Sequence, residues 1–163
     1  MITCGRCGCC SPLADVSRNE GLSEFLWALK LAGMEGDARE PGFMATVLAP
    51  TDGALKGFLS AKGFGSREAV EADGAAKAYL SDVIRHHILP PLPATRAVWT
   101  APFMRPGVEM ATLRDGGRVR VESAEGGRVR LAGGAGSGAN ILKADLYACK
   151  GFLNVIDGVL APY

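Results

Sequence analysis

Histidine is scarce in this sequence. Of 163 residues only His86 and His87 carry an imidazole, and neighbouring rings on a helix point about 100° apart, so they make a poor active site alone. The other constellations that carry chemistry are missing too. There is no Gly-x-Ser-x-Gly, no phosphate loop and no His-Glu-x-x-His. The glycine-rich "GGAGSG" lacks the following lysine and the strand–helix setting of a phosphate-binding loop. No apolar run approaches the ~18 residues of a membrane span. No basic region followed by an apolar stretch opens the chain, so an exported form would have lost its leader or carry it elsewhere. The end "GVLAPY" is neither a lipidation box nor an anchor signal. Asn-x-Ser/Thr and Arg-Gly-Asp are absent, which excludes N-linked glycosylation. Lysine and arginine (18) nearly balance aspartate and glutamate (17), so no overall field recruits nucleic acid or a membrane surface. Neither an enzyme nor a cofactor is expected.

What is present is an ordinary globular composition, 48% hydrophobic and 21% charged, in a length that suits one domain. Cysteine is the exception to that ordinariness. Cys4, Cys7, Cys9 and Cys10 crowd into the opening "CGRCGCC", and the fifth, Cys149, lies near the end. A structural zinc wants ligand pairs separated by a loop, and adjacent cysteines rarely share one metal without strain. A thioredoxin-like Cys-x-x-Cys wants a βαβ pattern that the sequence does not offer. Metal, redox motif and disulfide all remain conceivable at this point, with no metal preferred.

The pattern along the chain is helical first and β later. Residues 1–10 form a Gly- and Cys-rich extension, and 11–163 the folded domain. Ser11-Pro12 suits a helix start over 12–18. "LSEFLWALKLAGM" places Leu22, Phe25, Leu26 and Leu29 on one helical face and stops at Gly33. "DAREPG" suggests a loop and "FMATVLAP" a buried strand ended by Pro50. Thr51 or Asp52 can cap the helix "DGALKGFLSAKG". Helices are expected again over 66–74 and in "AAKAYLSDVIRHHIL", closed by "PPLP". One of the two histidines should face the core and hydrogen-bond, the other the surface. Strands follow: "MATLRDG", then a hairpin "GGRVRVESAEGGRVRL" turning at "ESAEGG", then "ILKADLYA" and "FLNVIDGVLAP". In the hairpin Arg118, Arg120, Arg128 and Arg130 alternate with Val119, Val121, Val129 and Leu131, so a guanidinium face opposes an apolar one. Such a face can grip sulfate, phosphate or carboxylate in bidentate fashion. Helices followed by strands predict an α+β fold with the helices packed at one side.

Several blocks together resemble the fasciclin (FAS1) domain. "FMATVLAPTDGAL" is similar to the family's strand reading TVFAPT and the helix start after it. "GFLNVIDGVLAP" resembles the closing block, roughly NGVIHVIDGVLLP. "IRHHILPP" lies where the family has a Tyr-His pair, an apolar dipeptide and proline. "MATLRDGGRVRV" and "LSEFLWALKLAGM" resemble two further family elements, and the likeness runs in order from Ser11 to Pro162. Here His86 replaces the tyrosine, Lys150 the usual asparagine and Asn154 a common histidine. The resemblance implies a wedge-shaped β-sandwich carrying several helices. It also implies a non-catalytic adhesion or interaction module for protein or anionic glycan partners. Thr51, Asp52, Asp157 and Gly158 are then scaffold residues, while His86, His87 and the four arginines are the candidate contact residues.

The setting implied is the extracellular space, a cell wall or an oxidising lumen, where disulfides are the expected use of cysteine. At least one bond among Cys4, Cys7, Cys9, Cys10 and Cys149 should then fasten the amino-terminal segment to itself or to the core. A lone domain cannot bridge two surfaces, so it would oligomerise, be tethered, or serve within something larger. The alternative is a peripheral accessory subunit docked on a membrane complex, such as a photosynthetic assembly on its lumenal side.

Overall fold

The helical and β patterns change over at His87. Residues 12–40, 42–92, 98–114, 116–126, 128–133, 137–149 and 151–160 are described by a computed structural model. The extension 1–10 and Ser11 lie outside them. The helices are α1 (Leu13–Asn19), α2 (Ser23–Leu31), α3 (Glu35–Arg39), α4 (Asp52–Ala61), α5 (Arg67–Glu71) and α6 (Gly74–His86). The strands are β1 (Thr46–Pro50), β2 (Ile88–Leu89), β3 (Glu109–Ala111), β4 (Arg118–Glu125), β5 (Arg128–Ala132), β6 (Gly138–Ala148) and β7 (Gly151–Ile156). They form one sheet in the order β2-β1-β7-β6-β5-β4-β3. β1 and β7 run parallel and the other neighbours antiparallel. The architecture is α+β, as the sequence pattern implies.

Two apolar clusters hold these layers together. Val47 and Ala49 of β1 and Leu153 and Val155 of β7 pack with helix residues such as Phe25, Leu29, Leu55, Leu80 and Ile84. Leu48, Leu89, Met110, Val119, Val121, Leu131, Ala139 and Ile156 form the second cluster. Those residues come from every strand, so the sheet curls until one of its faces encloses them. β1 is therefore buried on both faces, helices on one side and the sheet's own interior on the other. This is why "TVLAP" is continuously apolar after Thr46 instead of alternating. Val155, Ile156, Val159 and Leu160 of the closing block are all buried.

The structure departs from the sequence expectations in five places. Pro12 is the N-cap of α1, one position ahead of the first helical residue. "DAREPG" is not wholly loop, because its first residues complete the short helix α3, which buries Ala38 against the core. The helix containing both histidines stops at His86, and Ile88–Leu89 pairs with β1 instead. The strand at "MATLRDG" is confined to Glu109–Ala111. The arginine hairpin forms, but "ESAE" is not part of its turn: β4 continues through those residues, paired with β5, and absorbs one extra residue in a bulge between Val121 and Ser123.

Gly151 sits where β7 presses against the chain entering β1. A Cβ there would collide with the backbone carbonyl of Ala45, which accepts the Phe152 N–H at 3.0 Å. Gly151→Ala should therefore destabilise by about 1–3 kcal/mol through overpacking. Gly57→Ala, in an open stretch of α4 with nothing near its would-be Cβ, should stabilise by about 0.5–1 kcal/mol. Urea midpoints check both, and equal midpoints for the two variants would refute the close approach of the strands.

Candidate functional site

Both histidines are buried, His86 at 1% and His87 at 0% exposure. The expected division into a core ring and a surface ring does not occur. His87 lies just past the end of α6, and its ring is fully engaged. Nδ1 is 2.6 Å from the Val83 carbonyl oxygen, and the Leu160 N–H donates to Nε2 at 2.9 Å. Because Nε2 accepts, Nδ1 must carry the proton and donate, so one neutral tautomer satisfies both contacts. The His87 carbonyl also accepts the Leu48 N–H at 2.8 Å. Burial is the main cause that pushes the His87 pKa down to about 4; the Val83 carbonyl opposes it and His86 adds to it.

His86 has no such arrangement. Neither ring nitrogen has a hydrogen-bond partner among the described residues. The ring lies beside Gly117, whose missing Cβ would stand 2.9 Å from Nδ1. Its pKa is also pushed down to about 4, by burial first and the Arg114 guanidinium second, with Asp82 opposing. Arg114 and Asp82 pair with each other at 3.2 Å. Neither ring is placed to touch a partner. The missing tyrosine of the sequence block is thus replaced by a second buried ring, made possible by a glycine 31 positions later in the chain, a signal that no local pattern carries.

The scaffold residues do what capping chemistry suggests, with one difference. Thr51 caps α4, its Oγ1 accepting the Ala54 N–H at 3.2 Å. Asp52 does not cap its own helix. It reaches across to α2, where Oδ1 accepts the Glu24 N–H and Oδ2 accepts the Ser23 hydroxyl, each at 2.9 Å. A carboxylate in a helix's first turn also suits the helix dipole. Asp157 binds the β6 strand through Asn140, accepting its backbone N–H at 2.7 Å and its side-chain amide at 3.1 Å. Gly158 passes so near Gly138 that a Cβ would lie 2.8 Å from that carbonyl oxygen.

The four arginines share the outward face of the hairpin and are all exposed. Register places carboxylates among them: Glu109 is opposite Arg120 and Glu125 opposite Arg128. Arg130 pairs with Glu122 at 2.9 Å. Arg118 faces Ala111 and has no carboxylate across from it. The face is thus a ladder of alternating signs with arginine in excess, more balanced than the arginine spacing suggests. Cys149 occupies the turn between β6 and β7, while Cys4, Cys7, Cys9 and Cys10 lie outside the described residues. Among the described residues no group of three His, Cys, Asp or Glu side chains could hold a metal ion. No described helix is long and apolar enough to cross a membrane.

The two low histidine pKa values fix the sign of the acid response. Unfolded histidine takes a proton near pH 6.5 while the folded rings resist until about pH 4. Stability from the neutral rings is therefore complete above pH 6.5 and is lost as pH falls toward 4. At most about 3 kcal/mol per ring is at stake. His86→Leu removes an imidazole without breaking a hydrogen bond. It should leave stability at pH 7.5 nearly unchanged and flatten the decline between pH 6.5 and 4.5 in urea titrations. An equally steep decline in the variant would refute the role of His86.

Comparison with known proteins follows the same outline. The family model described as Fasciclin domain matches residues 20–162. Among solved structures the chain is similar to a FAS1 domain pair from the insect cell adhesion molecule Fasciclin I. That match has 16% identity and a TM-score of 0.63, and covers 88% of this chain and 46% of that one. The chain therefore spans less than half of the pair, and identity at that level speaks for the fold alone. No curated protein matches. Domains of this kind are adhesion or protein-interaction modules, generally non-enzymatic. With its sequence matched over residues 20–162 and its fold shared, the chain belongs to the fasciclin domain family.

Proposed function

We propose that this domain is a non-catalytic adhesion module that contacts protein or anionic glycan partners through the outward face of β3, β4 and β5. The observation that carries this reading is the exposed arginine ladder, in which Arg118 has no carboxylate opposite. Family membership supports the general role, and the burial of both histidines directs attention away from them. Guanidinium groups fixed on a pleated face lose little freedom when they bind sulfate or carboxylate in fork geometry. The intervening Glu109, Glu122 and Glu125 make the face selective in charge pattern rather than uniformly basic. The test is attachment of beads coated with the chain to a partner surface, with bound partners identified by native pull-down and mass spectrometry. Replacing Arg118, Arg120, Arg128 and Arg130 together by Ser should weaken attachment about tenfold or more, and raising salt should do the same to the parent. Unchanged, salt-independent attachment would exclude the face.

We further propose that the domain works in an oxidising extracellular or lumenal space with its amino-terminal segment covalently tied to the β6–β7 turn. Cys149 is half-buried there, and a disulfide is the expected use of cysteine in an oxidising space. Every other cysteine of the chain is in the opening cluster, which supports a link between the two. Alkylation before and after reduction, followed by peptide mass mapping, should find Cys149 protected until reduction and joined to a peptide from residues 1–10. Four alkylated cluster thiols, or a bound zinc released on acidification, would overturn this.

A further inference from the structure

The helical side of the molecule carries a second concentration of cations, on elements other than the arginine hairpin. α1, α2 and α3 enclose a cleft of about 280 Å³ with the start of α5 at its rim. Arg18, Lys30, Arg39 and Arg67 line it, against one lining carboxylate, Glu35. One wall is the Trp27 indole with its apolar neighbours on α2.

The cations differ in how firmly they are held. Arg67 is fixed: it pairs with the buried Glu24 through two contacts, Nε to Oε2 at 3.1 Å and Nη2 to Oε1 at 3.0 Å. Its guanidinium lies over Trp27, 5.4 Å from the ring centre. Trp27 is held in turn, since its Nε1–H donates to Glu71 at 2.7 Å. Arg67 and Trp27 therefore form a preorganised wall. Arg18 and Arg39 are committed only to exposed neighbours one helical turn away, Asp15 and Glu35, each at 3.0 Å. Exposed pairs of that kind are worth under about 1 kcal/mol, so a better acceptor displaces them. Lys30 makes no ion pair among the described residues.

We propose that this cleft binds a sulfated or carboxylated sugar unit of an anionic glycan. The argument is one of size and chemistry together. The volume of about 280 Å³ falls just short of the small-ligand range, which runs from about 300 Å³ upward, so it suits one or two rings rather than a protein surface. The Trp27 indole, one face of which the Arg67 guanidinium covers, adds apolar surface for the C–H edge of a pyranose, and Arg18, Lys30 and Arg39 line the same cleft and can meet the anions that such a ring carries. An acidic peptide would satisfy the cations but leave the indole wall unused. The inference rests on the reading of the domain as an interaction module and adds a ligand class and a second place for it.

The test is calorimetry of the full chain with a sulfated heparin-derived tetrasaccharide at low salt, with tryptophan fluorescence in parallel. The desulfated tetrasaccharide and an acidic peptide of matched charge serve as competitors. Lys30→Ala with Arg39→Ala removes two exposed cations without touching the core, and should weaken binding at least about tenfold. Trp27→Phe should abolish the fluorescence response and weaken binding further. Substituting the four hairpin arginines should leave the affinity read from the tryptophan fluorescence response within about twofold. Absence of binding at millimolar probe, undiminished binding by the Lys30/Arg39 variant, or equal affinity for the acidic peptide would each overturn the proposal. Loss of binding only in the hairpin variant would also overturn it, while upholding the adhesive face on β3–β5. Failure of both variants to affect bead attachment would instead count against the module reading itself.

Discussion

The arrangement rests on one neutral imidazole. His87 holds three separate parts of the chain at one point: the end of α6 through Val83, the closing segment through the Leu160 N–H, and β1 through its own carbonyl and Leu48. The ring can do this only as the Nδ1–H tautomer, donating at one side and accepting at the other. A protonated ring would have two donors and would leave the Leu160 N–H facing another N–H in a site with no water access. Position 87 thus ties fold to protonation state, and burial is what keeps the ring in the required form. β1 and β7, the parallel pair at the junction of helices and sheet, are covered by the helices on one face, and β1 is held at Leu48 by the His87 carbonyl.

Around that point the polar side chains act between elements rather than within them. Asp52 belongs to α4 but accepts the Glu24 amide and the Ser23 hydroxyl at the start of α2. Asp157 belongs to the closing turn but holds β6 through Asn140. Lys143 on β6 reaches Glu20 beyond α1 at 2.7 Å. Buried Glu24 is satisfied by Arg67 from α5. The contacts to the α2 terminus and to buried Glu24 cover groups that would otherwise cost about 1–3 kcal/mol, while the exposed Lys143–Glu20 pair is worth under about 1 kcal/mol. Together they fix how helices sit on the sheet, which hydrophobic packing alone leaves free to slide.

Sequence patterning made much of this visible, and the reasons for the rest are physical. The order of helices and strands, the doubly buried β1, the core residues of "NVIDGVLAP" and the alternating arginines all follow from periodicity, which is a local property. The closing block and "IRHHILPP" revealed the family likeness because their residues recur as runs. Asp52 was legible as a cap but not as the cap of α2, because the acceptor and donor stand 28 positions apart. Helical phase sends one of two adjacent histidines to the surface, yet His86 is buried as fully as His87. His86 is buried because Gly117 and the β3–β4 connection cover α6 from outside, and no helical wheel includes that layer. The short β2 looked like helix because Ile88 and Leu89 continue an apolar stripe; pairing with β1 overrides that propensity. The carboxylates among the arginines depended on strand register and on the bulge at Val121–Ser123, which spacing does not give.

The side chains that maintain the fold and those free to meet a partner form almost disjoint sets, and that separation bears on function. The recognisable blocks are spent on structure: Thr51 and Asp52 on helix ends, His87 on the junction, Asp157 and Gly158 on the closing turn. The alternating-charge face of β3–β5 and the cationic cleft among α1, α2 and α3 draw mostly on other residues, although Arg118 and Arg120 fall within "MATLRDGGRVRV" and Trp27 and Lys30 within "LSEFLWALKLAGM". A domain of this construction can keep its scaffold while its exposed charges change, because exposed arginines and lysines contribute little to stability and much to which anion is bound and in which orientation. Recognition is therefore to be sought in charge placement on the surface, and the fold's own signature residues say where those surfaces are held rather than what they hold.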